Sequence, residues 1–174
     1  IAQDTLDVYR YFREHNSDMV FGMHTNAGAR KAEWWEELAE IFAGKGGVTF
    51  SVDGLEDTNH IYRQATNFNK IIDNAKAYIN AGGNATWKYI IFKYNENTIL
   101  EAYNIATKLK MDCFMLQRPW VPENKKSVEH LPGMNNYKQK DWMPSFSLSE
   151  IVANNKKLKT PYEIGNDAVY FKCN

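Results

Sequence analysis

Polar residues gather at four places in the sequence, each directly after an apolar, strand-like run: Thr25-Asn26, Ser51 with Asp53, Lys93 with Asn95 and Glu96, and Gln117-Arg118. In α/β proteins the carboxyl ends of parallel strands are where ligands bind. Four such ends on one rim would make a ligand site. The run Val48-Thr49-Phe50-Ser51-Val52-Asp53 sharpens this reading. Period-two alternation puts Val48, Phe50 and Val52 on one face and Thr49, Ser51 and Asp53 on the other. A sheet covered by helices on both sides is apolar on both faces. A polar second face instead fits a barrel whose lumen holds a polar ligand. Plain solvation or capping of strand-end residues accounts for the same pattern equally well.

The elements that must position these residues alternate along the chain. Asp4 opens a first helix, with Leu6, Tyr9 and Phe12 at helical spacing up to His15. Met19 to Met23 reads as a buried strand, and Ala32 to Ala43 as a helix with Trp35, Leu38, Ala39 and Phe42 on one face. Gly44, Gly46 and Gly47 are expected to end that helix, before a strand from Val48 to Asp53. A polar turn leads to a helix marked by Phe68, Ile71, Ile72, Ala75 and Ile79, stopped by Gly82-Gly83. Thr86 to Lys93 is a strand, Asn95 or Asn97 caps the next helix, and Asp112 to Leu116 is a short strand. This αβαβαβαβ order, without hairpin signals, predicts parallel strands. The predicted fold class is α/β, with about four parallel strands wound as an open sheet or as part of a barrel.

Beyond Leu116 the periodicity stops. Pro119, Pro122, Pro132 and Pro144 punctuate a long irregular stretch that Trp120 and Trp142 should pack onto the domain. A short helix at Leu148 to Asn155 and an isolated strand at Ala168 to Cys173 are expected there. The division is therefore 1–116 for the α/β unit and 117–174 for an extension.

Composition narrows the function classes. The 174 residues carry 21 basic and 21 acidic side chains, a balance that argues against nucleic-acid phosphates or anionic lipid as the main partner. No apolar run is long enough to span a membrane, and two cysteines, Cys113 and Cys173, suit a reducing, cytoplasmic setting. His15, His24, His60 and His130 never fall at i,i+4 or beside a cysteine, so no metal site is expected. Of these, His24 points toward the strand-end rim. No nucleophile elbow, P-loop or dinucleotide fingerprint is present. Trp34-Trp35 reads as helix packing, Lys156, Lys157 and Lys159 as a solvated face, and Cys113 as a core thiol.

The order of Met23-His24-Thr25-Asn26-Ala27-Gly28, Phe50-Ser51-Val52-Asp53-Gly54-Leu55, Ile61-Tyr62-Arg63 with Asn74, and the strand from Trp87 to Lys93 before Asn95-Glu96 resembles the radical S-adenosylmethionine (SAM) enzymes. It most resembles those that continue into a SPASM or twitch auxiliary-cluster domain. The resemblance covers residues 1 to about 116, and Tyr170-Phe171-Lys172-Cys173 is similar to the entry of such an auxiliary segment. It implies a partial TIM-like barrel, with SAM and a [4Fe–4S] cluster in the full-length parent. The parent would cleave SAM to a 5′-deoxyadenosyl radical and act on an unknown small-molecule or peptide substrate. Ser51 and Asp53 match the motif whose polar groups meet the SAM ribose or carboxylate. Thr25 and Asn26 match a Thr-Asn near its methionine portion, although Ala27 stands where the family usually has Gly. Arg63 matches an arginine that pairs with the SAM carboxylate. Asn95 would face the adenosine or cap a helix, and Glu96 would be a first-turn acid.

The family's Cys-x-x-x-Cys-x-x-Cys loop and Gly-Gly-Glu motif are absent from this sequence. Three thiolates are the minimum for the cluster. The resemblance therefore implies a central fragment of the barrel, inactive as given, with no cofactor expected on this chain and Cys173 as a candidate former cluster ligand. The alternative is a cluster-less α/β binding module with a nucleoside-like pocket. A barrel lacking its first strands also implies a homodimer through the exposed N-terminal edge, around Leu6, Tyr9, Phe12 and the strand from Met19 to His24.

Overall fold

Aromatic residues of one strand parity set the architecture, because each finds a helix to pack against. The computed structural model describes residues 1–119, 143–158, 161, 163–164 and 167–173. Trp120, Pro122, His130, Pro132, Trp142 and Lys159 lie outside the described residues. The elements are α1 (Thr5–His15), β1 (Phe21–Thr25), α2 (Ala32–Phe42), β2 (Gly46–Ser51), α3 (Asn59–Tyr62), α4 (Phe68–Asn80), β3 (Ala85–Ile90), α5 (Ile99–Lys108), β4 (Cys113–Gln117), α6 (Leu148–Asn154), β5 (Glu163–Ile164) and β6 (Ala168–Lys172). They form one sheet of order β1-β2-β3-β4-β6-β5. The first four strands are parallel, and β6 runs antiparallel to both β4 and β5.

Register places Thr25, Phe50, Trp87, Phe114 and Phe171 in one row across the sheet. On this face Phe21 meets Tyr9 of α1 at 5.1 Å, and Phe50 meets Trp35 of α2 at 5.6 Å and Tyr78 of α4 at 5.9 Å. Tyr103 of α5 meets Phe114 at 5.7 Å and Phe171 at 6.2 Å. Trp35, Phe50, Trp87, Phe114 and Phe171 are all fully buried. Helices α1, α2, α4 and α5 thus pack against the same face. That settles the choice left open by the element order: the sheet is a partial barrel, wound with its helices outside, rather than a doubly covered sheet.

Several boundaries differ from expectation for identifiable reasons. Strand β2 starts at Gly46, so Gly46 and Gly47 belong to the strand, while Ala43 and Gly44 turn the chain at φ 47° and 71°. The polar turn after Asp53 holds a helical turn, α3. Helix α5 is preceded by Thr98, not by Asn95 or Asn97. Glu96 therefore lies outside the first helical turn, and its Oε2 accepts from the Ser145 amide at 2.6 Å, fastening the extension to the rim. The strand from Ala168 is not isolated, since it pairs with β4 along its whole length. Helix α6 forms close to where expected, with a reciprocal Ser147–Glu150 capping box and Leu148 and Ile151 buried.

At the N-terminal side, the Arg13 guanidinium donates to the carbonyls of Ser17, Met19, Ile41 and Phe42 and lies 4.5 Å from the Phe21 ring centre. It ties α1 to the α2–β2 connection. Among the described residues strand β1 pairs on one side only, with β2. Beside that edge Val8, Tyr11, Phe12 and Val20 are exposed, around a cavity of about 520 Å³ lined by Tyr9, Phe12, Met19 and Phe21 among others.

Gly46 sits at φ 122°, and a Cβ there would lie 1.9 Å from the Phe21 carbonyl oxygen. Gly44, at φ 71°, has open space around it. Gly46→Ala should therefore cost more than about 4 kcal/mol, the scale of strained backbone combined with steric overlap. Gly44→Ala should cost only about 1 kcal/mol. Urea unfolding of both variants measures the difference, and equal losses would contradict the β1–β2 pairing.

Candidate functional site

The face of the sheet away from α1, α2, α4 and α5 takes the opposite parity. Gly22 and His24 of β1, Thr49 and Ser51 of β2, Thr86 and Lys88 of β3, and Cys113, Met115 and Gln117 of β4 alternate with the helix-facing row. His24 is exposed here, in register with Thr49. A parallel sheet with such polar residues on one face is the wall of a lumen.

Above this wall, Asp53 organises the rim. The residue is fully buried. Its Oδ2 accepts from Arg63 Nε at 2.5 Å, and its Oδ1 accepts from the Ile90 amide at 2.6 Å. The second contact joins the ends of β2 and β3 where the ladder runs out. Its own amide donates to Asn59 Oδ1 at 2.9 Å. Its carbonyl accepts from Asn95 Nδ2 at 2.8 Å. Gly54 follows because a Cβ there would lie 2.6 Å from the Asn59 amide nitrogen. Burial pushes the Asp53 carboxyl above the ordinary carboxylate range, while the Arg63 guanidinium, the Ile90 amide and Lys88 pull it back.

The other expected residues fall into two groups. Asn95 is fully buried and acts as a stitch: Nδ2 donates to the carbonyls of Asp53 and Ile90, and Oδ1 accepts from the Phe92 amide at 2.7 Å. Both of its amide protons are engaged, so it shapes the rim instead of capping α5. Thr25 Oγ1 accepts from the Ala27 amide and Asn26 Oδ1 from the Gly28 amide, which folds the β1 end into a tight turn. Ala27 adopts φ 51° there and is fully buried, so the turn forms without a glycine at this position. Asn74, reaching over from α4, donates to Ala27 O at 2.8 Å and holds that turn in place.

Ser51 and Arg63 have capacity left. Ser51 is 8% exposed, and its hydroxyl has no hydrogen-bond partner among the described residues. Arg63 uses Nε for Asp53 and lies against Tyr62, with its guanidinium carbon 4.9 Å from the ring centre. Its side chain remains 23% exposed, and neither terminal nitrogen has a hydrogen-bond partner among the described residues. The Arg63–Asp53 pairing was not legible beforehand: the residues stand ten apart across an irregular loop with no periodic signal.

The cysteines sit at the ends of neighbouring strands but on opposite faces of the sheet. Cys113 lies on the lumen face, opposite Lys172 in register, whereas Cys173 is 3% exposed within the helix-side core. Two thiols on opposite faces do not fit a shared cluster. Among the described residues no group of three His, Cys, Asp or Glu side chains could hold a metal ion. No helix among them is long and apolar enough to cross a membrane.

No family model matches the sequence, and no curated protein matches it significantly. Solved structures do match. This sheet and its helices superpose on coproporphyrinogen III oxidase (HemN) from Escherichia coli, a radical SAM enzyme, with a TM-score of 0.66 at 12% identity, covering 95% of this chain and 39% of that one. The chain carries the radical SAM partial-barrel fold. SuiB from Streptococcus suis, in its SAM-bound structure, matches at 0.60 with 16% identity, over 89% of this chain and 32% of that one. TYW1 with a lysine-pyruvate adduct bound matches at 0.59 with 10% identity, over 98% and 52%. The chain thus spans from a third to about half of the length of these radical SAM structures.

Because its folded-state pKa is raised, Asp53 holds a proton more readily in the folded chain than in the unfolded one. Its contribution to stability therefore falls as pH rises from the unfolded carboxylate value, about 4, through the folded one. Arg63→Met removes the countercharge and steepens that fall. The variant should lose about 3 kcal/mol at neutral pH and distinctly less near pH 5, read from urea unfolding against the parent chain. An equal loss at both pH values would show that the Asp53 charge is not what Arg63 balances.

Proposed function

We propose that this chain is the SAM-binding portion of a radical SAM enzyme's barrel and that the catalytic cluster is held by residues outside the sequence described. The observation that supports this most is the one-sided packing of α1, α2, α4 and α5, which leaves a polar wall on the other face beneath a rim organised by Asp53. In this reading Ser51 donates its free hydroxyl to the SAM ribose or carboxylate, and the terminal nitrogens of Arg63 pair with the carboxylate. Thr25 and Asn26 shape the turn beside the methionine portion, and Asn95 sets the floor for the adenosine. The cluster and SAM, when bound in the whole enzyme, would supply the 5′-deoxyadenosyl radical that takes a substrate hydrogen. This chain's own residues bind, orient and keep water from the lumen.

A second reading is favoured by one observation, the placement of Cys113 and Cys173 on opposite faces. It makes the chain a cluster-less module whose rim binds a nucleoside without redox chemistry. Both readings place the ligand at the same rim. In-frame coding sequence upstream that supplies three clustered cysteines would decide for the enzyme.

Titration of the chain with SAM by calorimetry tests the rim. Binding should be weak, in the high micromolar range or beyond, and Ser51→Ala should weaken it about fivefold, the equivalent of one hydrogen bond of about 1 kcal/mol. Ser51 Oγ has no hydrogen-bond partner among the described residues, so the variant should fold as the parent does. SAM affinity unchanged by Ser51→Ala would remove Ser51 from the site. Anaerobic treatment with iron and sulfide should give no stoichiometric cluster on this chain, and a cluster of that stoichiometry would contradict the separation of its two thiols.

A further inference from the structure

Lys88 stands at the centre of the wall, and nothing in the rim explains it. Strand β3 is an interior strand, flanked by β2 and β4, and Lys88 is in register with Ser51 on one side and Met115 on the other. The side chain is only partly exposed. Lysine rarely occupies such a position without a countercharge, because burial penalises an unpaired ammonium. Yet no ion pair to Lys88 forms among the described residues. Asp53, whose field it shares, is already held by Arg63 and the Ile90 amide. The described wall residues of β1 to β4 include no acid. One row higher, Gln117 Oε1 is buried without a hydrogen-bond partner. An interior cation, a free hydroxyl at Ser51 and an orphaned acceptor therefore share one patch.

We infer that Lys88 is the anchor for a carboxylate on the substrate, with Gln117 Oε1 accepting from an N–H or O–H donor of the same molecule. The substrate class is thus a small carboxylic acid or the acidic side chain of a peptide. The ammonium pairs with that carboxylate, and the pairing offsets the cost of partly burying the charge. Assigning this anion to a substrate rests on the cofactor reading of the rim, because SAM itself carries a carboxylate. The two differ in position: Lys88 lies on the wall below the rim, whereas Arg63 lies on the loop above it.

The probe is glutarate, with the uncharged glutaramide as its control, followed by NMR on the chain with its lysines dimethylated, a modification that keeps their charge. The Lys88 signal is the one missing in Lys88→Gln, or in Lys88→Arg should the glutamine variant not fold. Exposed Lys93 is the internal reference. Glutarate should saturate the Lys88 signal at a concentration at least about tenfold lower than any response of Lys93, and glutaramide should leave it unmoved. Parallel, unsaturating shifts of both lysines would overturn the anchor. SAM should perturb the Arg63 Nε–H without displacing glutarate. SAM that competes with glutarate at Lys88 would overturn the substrate assignment, since the anion would then be the cofactor's own. Saturation by glutarate with no SAM response at Arg63 would uphold the anchor while overturning the cofactor reading.

Discussion

One buried carboxylate sets the geometry of the rim. Asp53 joins β2 to β3 through the Ile90 amide, receives Arg63 from the loop after β2, and offers its backbone to Asn59 and Asn95. Asn59 and Arg63 come from α3 and its C-terminal cap, and Ile90 and Asn95 from the end of β3 and the turn after it, so the two strand ends and their connecting loops are fixed relative to one another. Asp53, Asn59 and Asn95 are almost fully buried, which strengthens each contact and makes any unpaired member costly. Gly54 is required immediately after it, because only a residue without a Cβ lets the chain turn against Asn59. Ser51, two residues earlier and on the lumen side, inherits a fixed position from this network without taking part in it.

The wall below the rim exists because the helices lie on one side. Packing of Tyr9, Trp35, Tyr78 and Tyr103 against the aromatic row uses one parity of every parallel strand. The other parity is left free to be polar. In a doubly covered sheet Thr49, Thr86 and Lys88 would each be buried without partners, at a cost that no local interaction here would offset. On a lumen wall they line space that a ligand can fill. The same one-sidedness leaves β1 with a free edge beside the apolar outer surface of α1.

Much of this was legible in the sequence because it depends on period. The parity of Val48, Phe50 and Val52 against Thr49 and Ser51 gave the two faces of β2, and the helical spacing of Trp35, Leu38 and Phe42 gave the face that covers one of them. The clustering of polar residues at strand ends located the rim. Pairings across irregular loops were not legible. Arg63 meets Asp53, and Asn95 bridges Asp53 to Ile90, through contacts that no periodicity encodes. Asn95 also illustrates the limit of local rules: an Asn ahead of a helix suggests a cap, yet its side chain turns back to the rim and Thr98 precedes the helix. The antiparallel docking of β6 onto β4 was hidden for a similar reason, since a long irregular stretch without sustained periodicity separates the two strands in the sequence.

The central claim is that the ligand sits against the rim and the polar wall, on the side of the sheet away from the helices. Hydrogen–deuterium exchange of the chain with and without SAM addresses it most directly. Slower exchange is predicted at residues 51–55 and 90–95, where the amides of the Asp53 network lie, with α1 unchanged. Protection confined to α1 and β1, or none at the rim under saturating SAM, would contradict it.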